Sequence, residues 1–250
     1  LNEPIILDGP YSNSAFDIVC KNDKVYMIIG GKDLLNGKRF DKGGYILTYD
    51  YDKWSFIDPK EAQKKLNLPR NPRDYTSIAV TTDDSNDEIV YASSMGDGVI
   101  QYKNGTPVQS YNEKNAFKET AGGYGSGYCY IDGLAFDKNG NLWMTSSEVN
   151  HAVLVLDKAG AWHRLDIEQL RGVYTINDIL ITSTNDKWIY VPRNTPKLVM
   201  IPNSESLDEV SSYEFTTLID TDGKELTPSN YTCVAEDKDG YIWVGTNRGA

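Results

Sequence analysis

The stretch Leu134-Ala-Phe-Asp137-Lys-Asn-Gly140-Asn-Leu-Trp143-Met-Thr145 returns 100 residues later as Val234-Ala-Glu-Asp237-Lys-Asp-Gly240-Tyr-Ile-Trp243-Val-Gly-Thr246. In each copy an alternating apolar run enters a polar Asp/Asn/Gly turn, and a second alternating run carries tryptophan. That is the pattern of a β-hairpin. A degenerate copy lies between them, Ile179-Leu-Ile-Thr-Ser-Thr-Asn185-Asp-Lys-Trp188-Ile-Tyr190, with Asn185 where the others have Gly140 and Gly240. Asparagine tolerates positive φ better than most side chains, so the exchange fits a tight turn.

Two weaker copies stand further N-terminal. One is Phe16-Asp-Ile-Val-Cys20-Lys-Asn-Asp23-Lys-Val-Tyr26-Met-Ile, and the other is Tyr75-Thr-Ser-Ile78-Ala-Val80 followed, after a longer turn, by Glu88-Ile-Val-Tyr91-Ala-Ser. Tyrosine takes the place of tryptophan in both. The aligned apolar residues Ile18, Ile78, Leu134, Ile179 and Val234 are 60, 56, 45 and 55 residues apart, which gives five units. Every hairpin except the last is followed by a second pair of strand-like runs: 44–49 with 53–56, 98–102 with 107–108, 152–156 with 161–165, and 197–201 with 212–215. Repeated four-stranded antiparallel units of this length predict an all-β fold, a β-propeller of five blades.

On this reading residues 1–250 form one propeller domain, with repeat cores near 16–29, 75–93, 130–145, 174–191 and 231–246. The fifth unit reaches only its second strand at Ala250. The strand-like Glu3-Pro-Ile-Ile-Leu7 is expected to complete it as an outer strand, Pro4 being tolerated at an edge. The alternative is that the chain is cut from something larger. Pro59 to Leu66 reads as a short helix with proline at its start, and Asp166 to Arg171 as a helical turn.

Composition narrows the function classes. The 250 residues are 40% hydrophobic and 24% charged, an ordinary globular balance, and no run approaches the roughly 18 apolar residues that span a bilayer. No membrane crossing is expected. The net charge of −11 repels phosphate backbones, which excludes nucleic acid as a partner. Cys20, Cys129 and Cys233 are too few and too widely spaced for a disulfide scaffold or a zinc ribbon, and each is expected to be a small buried thiol. His151 and His163 form no local triad or metal-ligand spacing. The turns at Asp137 and Asp237 look superficially like calcium loops, but each contains a lysine and lacks the twelfth-position glutamate, so hairpin turns are expected. No metal, cofactor or catalytic residue is assigned.

Two features point to binding. The glycine-rich Gly122-Gly-Tyr-Gly-Ser-Gly127 leads into a strand and not a helix, so it reads as a mobile tyrosine-bearing loop and not a phosphate cradle. An aromatic residue enters each inner strand: Phe16, Tyr75, Tyr130, Tyr174 and Tyr231. In a propeller these positions are expected to gather round one mouth of the central channel. With Arg73, Asp132, Asn177, Asp178 and Asn230 beside them, Tyr75, Tyr130, Tyr174 and Tyr231 would offer a sugar or a peptide an amphipathic surface. The alternative is packing between adjacent blades.

The hairpins at 137–145 and 237–246 resemble the two-component regulator propeller repeat, in which Asp-x-x-Gly-x-[Leu/Ile]-Trp-[Val/Ile]-Gly-Thr recurs in periplasmic sensor portions of hybrid histidine kinases from Bacteroidetes. The Trp243-Val-Gly-Thr246 copy is near consensus, the Trp143 copy departs after its tryptophan, and the Trp188 copy is weaker. More of the chain resembles propellers of the PorZ type, a cell-surface component of type IX secretion. This likeness runs from Asp8-Gly-Pro10 and Gly30-Gly31 through Tyr49 and Trp54-Ser-Phe-Ile57, then Ser93-Ser-Met-Gly96-Asp-Gly98-Val-Ile-Gln-Tyr102-Lys-Asn104, to Gly133 through Trp143. The resemblance implies a noncatalytic binding or assembly module of the periplasm or outer-membrane surface. Its partners would be envelope proteins or a glycan or lipopolysaccharide-type ligand. The sensor family implies instead an oligosaccharide-sensing propeller. A third likeness, to streptogramin lyase and lactonase propellers, implies an enzyme, yet their set of histidines and acids at the mouth is missing here.

Overall fold

Each aligned run forms the inner strand of an antiparallel sheet in the computed structural model, which describes residues 9–34, 36–117, 127–219 and 221–249. Blade 1 is β1 (Ala15–Lys21), β2 (Lys24–Ile29), β3 (Ile46–Asp50) and β4 (Lys53–Ile57), hydrogen-bonded in that order. Blade 2 is β5 (Tyr75–Thr82), β6 (Glu88–Gly96), β7 (Gly98–Lys103) and β8 (Thr106–Tyr111). Blade 3 is β9 (Cys129–Phe136), β10 (Leu142–Ser146), β11 (Val153–Leu156) and β12 (Trp162–Leu165). Blade 4 is β13 (Ile179–Ile181), β14 (Lys187–Val191), β15 (Lys197–Ile201) and β16 (Tyr213–Phe215). A short ribbon, β17 (Leu218–Ile219) with β18 (Glu225–Leu226), leads to the hairpin of the fifth unit, β19 (Tyr231–Glu236) and β20 (Ile242–Thr246). The sequence pattern gave no hint of that ribbon, whose strands are two residues each.

The chain is a β-propeller. β1 packs on β5, β5 on β9 and β9 on β13, so the inner strands of blades 1 to 4 follow one another, and β19 of the fifth unit packs on β14 of blade 4. Blades 2 and 3 also share backbone pairing, Met95 with Tyr130 and Gly96 with Cys129. The register of the five hairpins is the same. Val19 faces Tyr26, Ala79 faces Tyr91, Ala135 faces Trp143, Leu180 faces Trp188 and Ala235 faces Trp243. Tyrosine therefore occupies the tryptophan position in blades 1 and 2.

The turn chemistry explains the spacing of the repeat. Gly140, Asn185 and Gly240 all have positive φ, at 84°, 71° and 85°. One oxygen of Asp137 accepts the backbone N–H groups of Asn139 and Asn141, and the other accepts the Trp143 indole N–H at 2.9 Å. Asp237 does the same for Asp239, Tyr241 and Trp243. These carboxylates are thus committed to holding a turn and an indole, and each indole's polar edge is satisfied without water.

Blade-to-blade packing supplies the core. Ile78 and Val80 pack on Tyr26 and Ile28 of blade 1, while Leu134 packs on Ala79 and Tyr91 of blade 2. Trp143, only 2% exposed, packs among Ile179, Ile189 and Val199 of blade 4, beneath the ammonium of buried Lys187 at 4.5 Å. The corresponding outer faces of the array are open: Ile18 of blade 1 and Trp243 of the fifth unit are each 55% exposed. No strand of the fifth unit pairs with blade 1 among the described residues. The expected completing strand at Glu3–Leu7, and most of the glycine-rich stretch, lie outside those residues.

Burial of the cysteines differs from expectation at two positions. Cys129 is buried, but Cys20 and Cys233 are exposed. Cys20 lies two residues beyond Ile18 on the same uncovered face of β1, and Cys233 is two residues before Ala235 on the uncovered face of β19. The helix α1 spans Pro59–Leu66 as predicted, capped by the Asp58 carboxylate and ended by Asn67 at φ 52°. A single 3-10 turn at Glu168–Leu170 occupies the other predicted helical segment.

Candidate functional site

Four of the five inner strands carry a register shift near their N-terminal end, between Ala15 and Asp17, between Tyr75 and Ser77, opposite Met144 to Ser146, and between Tyr231 and Cys233. Such a bulge leaves one residue out of the ladder and re-aims it. Two positions before the aligned apolar residue stand Phe16, Thr76, Asp132 and Asn177, and all four line one cavity at the centre of the array. Asp17 and Asp178, one position before it, line the same cavity with Lys32, Leu34 and Tyr190. The five aromatic residues read from the sequence stand two to five positions before the aligned residue, so they are not equivalent by rotation.

Their placements follow from that. Tyr75 and Tyr231 are fully buried between blades. The Tyr75 hydroxyl meets that of Tyr102 at 2.6 Å, whereas the Tyr231 hydroxyl has no partner among the described residues. Tyr130 is buried against Met95 and Tyr128, and Tyr174 is half-exposed. Arg73 lies on the surface, its backbone N–H donating to Asp97. Asn230 is half-buried and accepts the N–H of Asn247. The structure brings Asp132, Asn177 and Asp178 together in the central cavity and Tyr130, Asp132 and Tyr174 together in a neighbouring cleft. Arg73, Tyr75, Asn230 and Tyr231 lie apart from both.

The feature the sequence did not reveal is the connection between β2 and β3. It leaves β2 through Gly30 and Gly31, both at positive φ; a Cβ on Gly30 would lie 2.3 Å from the backbone of Tyr75, and one on Gly31 would enter the Phe16 ring. Only glycine lets the chain turn here. The segment then crosses the array. Lys32, 3% exposed, ion-pairs with Asp132 of blade 3, and its ammonium also donates to the Ile176 carbonyl of blade 4. Gly37 sits against the Arg193 guanidinium, Arg39 lies 5.6 Å over the Tyr128 ring, and the backbone N–H groups of Asp41 and Lys42 donate to the Asp74 carboxylate. This strap from blade 1 thereby touches blades 2, 3 and 4. The Gly30-Gly31 pair was its one visible signal.

Polar groups in the centre are used on one another. Ser147 donates to Asp132 at 2.5 Å and accepts the Ile176 N–H at 2.9 Å. Asn177 donates to the Tyr190 hydroxyl at 2.7 Å, which donates to the Thr232 carbonyl of the fifth unit at 3.1 Å. Asp17 accepts the N–H groups of Ile18 and Ile78, and Asp178 accepts that of Ile179. Three carboxylates face one lysine. Asp178 touches water but is ringed by protein, and desolvation, then the Asp17 charge, push its pKa up to about 7, against the pull of the Ile179 N–H; the Asp132 charge adds to the rise and Lys32 opposes it. Burial also raises Asp17. The cavity is about 140 Å³, space for roughly four or five water molecules and below the ~300 Å³ at which small-molecule pockets begin. His163 sits far out on the β11–β12 hairpin, bonded to Asp157 at 2.9 Å, so it brings no base to this centre. No group of three His, Cys, Asp or Glu side chains forms a metal site among the described residues, and none of their helices is long and apolar enough to cross a membrane.

Residues 225–248 match the two-component regulator propeller family, the segment that contains the Asp237–Trp243 turn. The fold is similar to PorZ of Porphyromonas gingivalis, an essential surface component of its type IX secretion system, with 20% identity and a TM-score of 0.82 over 99% of this chain and 33% of PorZ. It is also similar to the extracellular domain of BT3049, a candidate hybrid two-component system of B. thetaiotaomicron: 17% identity, TM-score 0.55, 95% of this chain and 32% of that one. A candidate 6-phosphogluconolactonase of Bacteroides uniformis shares 10% identity and a TM-score of 0.50, over 91% of this chain and 68% of that one. No curated protein matches in sequence. The chain spans about a third of the length of PorZ and of BT3049. At these identities the likenesses establish the propeller fold.

Proposed function

We propose that this chain is a noncatalytic binding and assembly propeller of the bacterial cell envelope, acting in the periplasm or on the outer-membrane surface, with a role like that of PorZ in type IX secretion. The observation that carries the reading is the fold likeness to PorZ, which extends over 99% of the chain at a TM-score of 0.82. The narrow centre supports it: a cavity too small for a sugar, with its polar side chains already bonded to the ammonium, hydroxyl and backbone groups around them, favours recognition at the rim over turnover in the channel. Of the residues singled out in the sequence, Tyr130 and Tyr174 would contribute to that rim, and Asp132, Asn177 and Asp178 would hold the framework beneath it. Envelope proteins or an envelope glycan are the partners.

The second reading is a periplasmic sensor propeller that binds an oligosaccharide, favoured by the family match at 225–248. Deleting the gene in its native host separates the two. Loss of cargo export to the surface, restored by the intact gene, supports the assembly reading. Normal export with loss of a transcriptional response to a glycan supports the sensor and overturns the first reading.

A further inference from the structure

Blade 4 presents a cation that meets no counter-charge among the described residues. Arg193 follows β14, is half-buried, and has no carboxylate within 4.0 Å among the described residues. Among the same residues its one hydrogen bond is long, 3.4 Å to the Thr175 hydroxyl, and its Nε–H is buried without an acceptor. Neighbouring cations are differently placed: Arg171 is bound to Asp166, and Lys197 to Glu214 and the Gln169 carbonyl. A guanidinium has five donors, and leaving a buried one unmet is unfavourable, so its retention in a chain of net charge −11 calls for an external acceptor.

The surroundings state which one. Arg193 lines a cavity of about 440 Å³, large enough for a sugar unit, with Tyr174, Thr175, Asn194 and Thr195 in its wall. Tyr174 and Thr175 also line the adjoining cleft, whose wall includes Glu148. Glu148 is held at φ 62°, an uncommon conformation for this side chain, by a backbone bond to the Val173 carbonyl. A half-exposed tyrosine ring shared by two adjoining walls, one holding a guanidinium and the other a carboxylate, matches a sugar acid: the ring face would cover the pyranose, the guanidinium take its carboxylate, and Glu148 accept its hydroxyls.

We propose that the rim of blades 3 and 4 is a sugar-acid site in which Arg193 anchors the ligand's carboxylate beside Tyr174 and Glu148. The proposal rests on the reading of the chain as a binding propeller and names the ligand chemistry of its rim. The test is calorimetric titration of the intact protein with digalacturonate, with its dimethyl ester, with mannose 6-phosphate and with a short peptide bearing a free C-terminal carboxylate. Expected are binding of digalacturonate that weakens with salt, at least tenfold weaker binding of the ester, a tenfold or greater loss in Arg193→Gln, and partial retention in Arg193→Lys. Near-ultraviolet circular dichroism of Arg193→Gln verifies its fold, and a misfolded variant leaves the ester and Arg193→Lys comparisons to decide. No binding of digalacturonate, equal binding of the ester, unchanged affinity in folded Arg193→Gln, or preference for the phosphate or the peptide would each overturn the proposal. If digalacturonate fails while gene deletion still abolishes export, only the ligand assignment falls and the assembly reading stands.

Discussion

Asp178 couples the centre of the propeller to pH. Desolvation and the Asp17 charge push its carboxyl from the usual carboxylate range up to about 7 in the folded state. Between about pH 4 and pH 7 the folded protein therefore holds a proton that the unfolded chain has released, and stability falls as pH rises through that window. Melting temperatures measured across it should fall more steeply in the wild type than in Asp178→Asn; Asp17, Asp74 and Glu148, also raised by burial, act in the same direction. Identical slopes would show that Asp178 does not sense its neighbours. The two repeat tryptophans make a second residue-level comparison, since both donate to an aspartate but only Trp143 is covered by the next blade. Trp143→Ala should cost about 3–5 kcal/mol in urea denaturation, and Trp243→Ala about 1 kcal/mol or less. Equal costs would mean that the indole–aspartate bond, and not blade packing, dominates.

At the scale of elements, the hairpins were legible and the channel lining was not. A hairpin announces itself locally through alternation on either side of an Asp-x-x-Gly or Thr-x-x-Asn turn, and the turns at Asp137, Thr182 and Asp237 make the same two backbone bonds. Asn185 goes further than its φ, because its carboxamide accepts the Lys138 N–H of blade 3 at 2.9 Å and donates to Asn203 at 2.8 Å. Asn185→Gly should therefore cost about 1 kcal/mol despite its permissive backbone, and Asn185→Ala more, as measured by chemical denaturation. If glycine proved neutral, the link between blades would carry no weight. The bulges shift Phe16, Thr76 and Asp132 into the centre by breaking the alternation, so reading outward from conspicuous aromatics reached Tyr75 and Tyr231 in the blade interfaces. Asp132, Asn177 and Asp178 were found because they neighbour those aromatics in sequence. Lys32, Ser147 and Arg193 were missed because their roles exist only through contacts 15 to 144 residues away along the chain.

For the whole molecule, the strap is the decisive connection: it leaves blade 1, reaches over the centre and places Lys32 there against blades 3 and 4. Lys32 and Asp132 are 100 residues apart and nearly dry, so neither charge is tolerable without the other. A double-mutant cycle on Lys32→Met and Asp132→Leu, followed by urea denaturation, tests this directly. Each single change should cost about 3–5 kcal/mol, and the double variant should recover about 2 kcal/mol or more relative to their sum. Costs that add to within about 0.5 kcal/mol would contradict a strap locked across the centre of the propeller.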